Sequence, residues 1–248
     1  MKVTYLNHSG FLLETKTAYF LFDYYNGRIP DLNRDKPIVV FVSHGHGDHY
    51  NREIYKLLQP YPDVQYVLAK DIPTKRLIAE QAVQGVELDS HILSVRKNTT
   101  QEILLWNGRP LTITTLKSTD AGVAFLLEYD NHTYYHAGDL NLWYWKDESS
   151  QYNENMTRKF MTEMEKLKGR RIDAAFVPLD PRLEEHMADG FRIFMEYTES
   201  RWVFPMHMWG SYDIIAEWLK RYPEYKERVV PIQYEGQIFQ KDDTNSVN

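Results

Sequence analysis

Short, densely apolar runs bounded by Gly, Pro, Asn and Asp dominate the first half of the chain. Such runs predict strands, here at residues 3–6, 11–14, 19–22, 38–42 and 64–69, then at 103–106, 111–116, 123–129 and 133–136. Asp130-Asn131, between the last two, predicts a tight hairpin turn. Helical spacing is sparser. It predicts a short helix at 52–58, another at 73–81, and clearer helices at 152–168, 190–200 and 212–221. In the second half, strands at 174–177 and 202–204 alternate with these helices. No Pro/Ser/Gly-rich linker, low-complexity run or repeat divides the chain. The pattern predicts one domain over residues 1–248, with two sheets packed face to face and helices outside. The polar residues 241–248 are expected to fray.

The chain has 248 residues and 43% hydrophobic content, enough for one large domain. It has no cysteine, which excludes disulfides, a thiolate metal site and a cysteine nucleophile. The N-terminal residues go straight into a strand pattern rather than a signal-peptide core, and no stretch reaches membrane-spanning length. The cytoplasm is therefore the expected compartment. A net charge of −6 disfavours broad nucleic-acid binding. The densest basic run, residues 166–171, falls at the end of a predicted helix, where cations suit the dipole and Gly169 can cap.

Chemistry concentrates in His44-Gly45-His46-Gly47-Asp48-His49, directly after the predicted strand 38–42. Four metal-binding side chains lie within six residues, and the glycines let the backbone fold back. Imidazole with carboxylate suits zinc, and also manganese or iron. The run resembles the His-x-His-x-Asp-His signature of the metallo-β-lactamase superfamily. That resemblance implies an α+β fold, a four-layer αββα sandwich of two mixed sheets flanked by helices. It also implies two divalent ions, with His44 and His46 on the first and Asp48 and His49 on the second.

The resemblance extends to other strand ends. Asp139, in Gly138-Asp139 after strand 133–136, matches the carboxylate that bridges both ions. His207, after strand 202–204, matches the last histidine of the second ion. Asp23, after strand 19–22, matches an Asp that braces the histidine loop by hydrogen bonds. A departure lies between them: the stretch 116–125 holds no histidine where the family places its third ligand of the first ion. Asp120 is a candidate oxygen-donor replacement, the alternative being a more weakly held first ion; Lys117 is a candidate substrate-facing cation, and His186 a candidate ligand, general acid or substrate contact. Arg182 beside it suits an anionic group. His8, in Asn7-His8-Ser9-Gly10, resembles the opening of a branch that includes ascorbate-6-phosphate lactonases. His91 and His132 read as turn residues, and His136 as a residue that orients Asp139. The aromatic segment Trp143-Tyr144-Trp145, with Trp209, reads as core, cleft wall or oligomer contact.

These residues together imply a hydrolase in which a metal-activated hydroxide attacks a small ester, lactone or phosphodiester, anionic ones included. Asp48 and His186 are the expected catalytic side chains. Family members that reduce oxygen at a di-iron centre carry Glu in place of the second histidine, whereas this chain has His46. Two other readings stay open: a nuclease of the same fold, and a metal-binding regulatory protein without catalysis.

Overall fold

In chain order the strands are β1 (Lys2–Asn7), β2 (Gly10–Glu14), β3 (Tyr19–Phe22), β4 (Ile38–Val42), β5 (Gln65–Ala69) and β6 (Ile92–Val95). There follow β7 (Thr100–Leu104), β8 (Pro110–Lys117), β9 (Val123–Tyr129) and β10 (His132–His136). The last are β11 (Arg171–Ile172), β12 (Ala174–Pro178), β13 (Glu199–Ser200), β14 (Val203–Met206) and β15 (Ile238–Gln240). The helices are α1 (Lys75–Val83), α2 (Ser150–Leu167), α3 (Asp189–Tyr197) and α4 (Asp213–Arg221). This computed structural model describes residues 1–83 and 87–241, so the tail expected to fray lies, from residue 242, outside the described residues. Two compact units divide the chain: residues 1–95, 105–109 and 235 onward, and residues 96–104 with 110–234.

The first unit is built on a seven-stranded sheet in the order β15-β1-β2-β3-β4-β5-β6. Pairing is antiparallel from β15 to β3 and parallel from β3 to β6. Strands β1, β3 and β4 therefore run the same way, and the segments after them open at one edge of the sheet. Ile38–Val42 is buried at every position, which explains its unbroken apolar run: an inner parallel strand has no solvent face. Phe22 and Phe41 stack across the β3–β4 pair with centroids 5.1 Å apart.

The second unit has a six-stranded sheet, β14-β12-β10-β9-β8-β7. Here β10, β12 and β14 are parallel, and the remaining pairs antiparallel. The crossover from β10 to β12 carries α2, which starts where Ser149 Oγ accepts from Tyr152 N and buries Met156, Phe160, Met164 and Leu167. Helix α3 covers β10, with Phe194 stacked on Tyr135 at 5.2 Å. Strands β8, β10, β12 and β14 all end at one edge, the edge where parallel sheets present ligand-binding side chains.

Most predicted elements form where the pattern put them, including the Asp130-Asn131 turn, whose φ values of 52° and 63° suit a two-residue hairpin. Five elements differ. The strand expected at 103–106 ends at Leu104, because Asn107-Gly108 turns the chain and Gly108 N donates to Leu105 O. Strands β6 (Ile92–Val95) and β15 (Ile238–Gln240) hold apolar residues but are too short to set a clear pattern. The helix expected to reach residue 200 stops at Tyr197, where Thr198 turns extended and Glu199–Ser200 pairs with β11. Residues 52–58 form a 3-10 helix capped by Asn51.

Candidate metal centre

In the first unit, Asp23 is the anchor. Its fully buried carboxylate accepts from Ser43 N at 2.7 Å, from Ser43 Oγ at 2.6 Å and from His49 Nδ1 at 2.8 Å. Because the Ser43 hydroxyl proton goes to Asp23, Ser43 Oγ receives the Nδ1–H of His44, at 3.0 Å. Both histidines are thus fixed as Nδ1–H tautomers and carry the lone pair on Nε2, the arrangement a metal-ligating imidazole needs. The rings of His44 and His49 are 4.2 Å apart and those of His44 and His46 4.5 Å. The loop closes on itself through His49 N and Tyr50 N, both donating to His46 O.

Asp48 approaches His8 Nε2 at 3.4 Å. The hydrogen bond with His8, aided by the field of His49 and opposed by burial, holds the Asp48 carboxyl far below the usual carboxylate range. His8 is buried at the turn between β1 and β2. Three imidazoles and a carboxylate thus come from one short loop, and imidazole with carboxylate is the ligand chemistry of a zinc-type ion.

In the second unit, Asp139 and His207 face each other, with Asp139 Oδ1 2.9 Å from His207 Nε2. Both are almost wholly buried. Asp139 is fixed through its backbone: Trp143 Nε1 donates to its carbonyl at 2.9 Å, and Thr119 Oγ1 does so at 3.3 Å. Gly138 N donates to His136 Nδ1, so His136 shapes the Gly138-Asp139 turn as expected. His207 mirrors His49. Its Nδ1 meets a buried carboxylate, Asp180 Oδ2, at 3.3 Å. Burial opposes ionisation of Asp180, but hydrogen bonds from His207 and Arg182 outweigh it and bring its pKa down to about 2.

The remaining candidates are spread around this edge. Asp120 is exposed, and its neighbour Thr119 is the residue that reaches the Asp139 backbone. Lys117 is exposed and donates its backbone N–H to Glu163. His186 pairs with Asp189 through Nδ1 at 2.8 Å, and its ring lies 4.1 Å from that of Tyr144. Arg182 grips Asp180 and lies over Trp209, Trp145 and Trp143. His91 and His132 bond to backbone carbonyls, as befits turn residues. Sequence reasoning passed over Asp180, although an Asp just after a strand was the signal that marked Asp23. It also passed over Ser43 and Thr119, whose roles depend on hydroxyl directions that no spacing encodes. Several of these positions hold non-glycine residues at positive φ: His8 at 51°, Asp23 at 39°, His207 at 65° and Trp209 at 53°. Such strain collects at functional sites.

Residues 2–153 match the family model described as the beta-lactamase superfamily domain. The chain belongs to the metallo-β-lactamase superfamily. A metal-dependent hydrolase of Carboxydothermus hydrogenoformans is 25% identical over 224 residues, which cover 87% of this chain and 88% of that protein. Igni18, a metallo hydrolase from the archaeon Ignicoccus hospitalis, aligns at a TM-score of 0.59 and 14% identity, over 97% of this chain and 99% of its own. YhfI of Bacillus subtilis, a metallo-β-lactamase fold protein, aligns at 0.54 and 15% identity, over 96% and 98%. These structures show the fold, and with it the α+β class expected from the sequence. The superfamily member is a metal-dependent hydrolase. No helix among the described residues is long and apolar enough to cross a membrane.

Proposed function

We propose that this chain hydrolyses a small ester, lactone or phosphodiester at a centre of two divalent ions, zinc first and manganese or iron as alternatives. On the family resemblance, His44, His46 and Asp139 would hold the first ion, and Asp48, His49, Asp139 and His207 the second. The observation that carries this reading is a repeated brace. Asp23 holds His49 by Nδ1, and Asp180 holds His207 by Nδ1, so that Nε2 is the nitrogen left to each ring, facing Asp139 in the case of His207. Carboxylate–histidine pairs of this kind are the usual support of a metal ligand.

Bound ions of this class supply a hydroxide near neutral pH, by lowering the pKa of water to about 7, and polarise the scissile group. The protein's own residues do the rest. Asp48, kept ionised beside His8, accepts a hydrogen bond from the nucleophile and orients it. His186, its Nδ1 held by Asp189, passes a proton to the leaving oxygen through Nε2. The acidic net charge favours a small molecule over a nucleic acid, and a cysteine-free chain suits the cytoplasm.

Elemental analysis of untagged protein purified without chelator tests this. Two zinc ions per chain, with turnover in a panel of lactones and phosphodiesters, is the expected result. Asp139→Ala should strip the metal and abolish turnover. Wild-type metal content and rate in that variant would sink the reading.

A further inference from the structure

Arg182 is the cation that an anionic substrate group would be expected to meet. Its geometry gives it other work. The Nε and Nη2 edge of the guanidinium, the edge that grips carboxylates in two-point fashion, is spent on Asp180. Nε donates to Oδ1 at 3.0 Å and to Oδ2 at 3.1 Å, and Nη2 donates to Oδ2 at 2.6 Å. Arg182 also gives its backbone N–H to Oδ1 at 3.0 Å. The same carboxylate takes His207 Nδ1 and Trp209 Nε1, both at 3.3 Å on Oδ2. A carboxylate has about four acceptor sites, and the donors on Asp180 fill them.

We infer that Arg182 is a positioning residue that acts through Asp180 on the ring of His207. Asp180 is fully buried. Arg182 holds that carboxylate on both oxygens, and Oδ2 is the atom that also meets His207 Nδ1. The place of Arg182 is itself fixed by packing, with the guanidinium carbon 4.6 Å from the Trp209 ring centroid, 5.9 Å from that of Trp145 and 6.0 Å from that of Trp143. A flat, delocalised cation stacks on indoles in this way, and a lysine does not reproduce it. The indoles, Arg182 and Asp180 thus form one chain of contacts that ends on His207. Trp143 and Trp209 close it by meeting the His207 ring edge-on, at 5.7 Å and 6.3 Å.

The inference rests on the reading of His207 as a metal ligand, and its test separates the two. Zinc affinity is measured by competition with a chromophoric chelator on wild type, Arg182→Met, Asp180→Asn and the double variant. Melting of the zinc-free proteins is followed in parallel. Arg182→Met should lower the affinity for the more weakly held zinc about 10- to 100-fold, the usual effect of losing an outer support. Asp180→Asn, close to isosteric, should do the same, and the double variant should lose little more than either alone. The zinc-free melting temperature of Asp180→Asn should stay near that of wild type, so that the loss is one of ligand aim and not of folding. Arg182→Lys should recover only part of the affinity. Wild-type zinc affinity in Arg182→Met overturns the inference and leaves the hydrolase reading intact. Wild-type protein that takes up no zinc overturns the hydrolase reading itself.

Discussion

Asp23 concentrates the residue-scale argument for the first unit. Three donors converge on its buried carboxylate, two from Ser43 and one from His49, all in the segment that carries the histidine loop. Replacing it by Ala leaves Ser43 N and His49 Nδ1 buried without an acceptor. Each such group costs about 1–3 kcal/mol, so Asp23→Ala should lose about 3–5 kcal/mol in a urea titration, along with most of its metal. A loss under about 1 kcal/mol would show that water replaces the carboxylate, and the brace would be unimportant. This Asp was legible in the sequence because it ends an apolar strand. Asp180 ends a strand in the same way, yet its partners His207, Trp209 and Arg182 are spread along the chain. Only folding shows that one carboxylate serves all three.

At the scale of elements, parallel strands decide where chemistry is placed. Strands β10, β12 and β14 lie side by side in one direction, so the residues after them, Asp139, Asp180 and His207, emerge at the same edge. Helix α3 sets the segment that follows Asp139. A Cβ on Gly190 would lie 2.1 Å from Asn141 Oδ1 and 2.9 Å from Leu142 N. The second of these is backbone and cannot swing aside. Gly190→Ala should therefore push residues 141–142 outward and cost about 1–3 kcal/mol, as overpacking does. Because Thr119 Oγ1 bonds to Asn141 O and to the Asp139 carbonyl, the shift should also lower metal affinity. Thermal melting with zinc titration checks both, and a variant that melts and binds like wild type would show that the contact is slack.

At the scale of the whole molecule, metal binding and folding are linked. The proposed ligands come from segments far apart in sequence, His44 to His49 near one end and Asp139 and His207 well beyond. An unfolded chain cannot hold them in one geometry, so ions that bind the folded state stabilise it by mass action. Zinc at about one hundred times its dissociation constant should add about 2.7 kcal/mol per independent site. The melting temperature should rise with zinc concentration in wild type and stay flat in Asp139→Ala. A wild-type melting curve indifferent to zinc would contradict a site that exists only in the fold.

The sequence alone determined most strands of both sheets and the histidine-rich loop at 44–49, and its family resemblance singled out the strand-end residues Asp23, Asp139 and His207. These are local facts: an apolar run specifies a buried strand, and glycines with histidines specify a tight ligand loop. Strands β6 and β15 were not marked, because runs of four and three residues are too short to set a period. Only the tertiary structure decided which strand ends share an edge, which nitrogen of each histidine is held, and that Arg182 turns its fork to Asp180. Those outcomes depend on strand order and on hydrogen-bond directions between distant residues, and neither is written in the spacing of the residues along the chain.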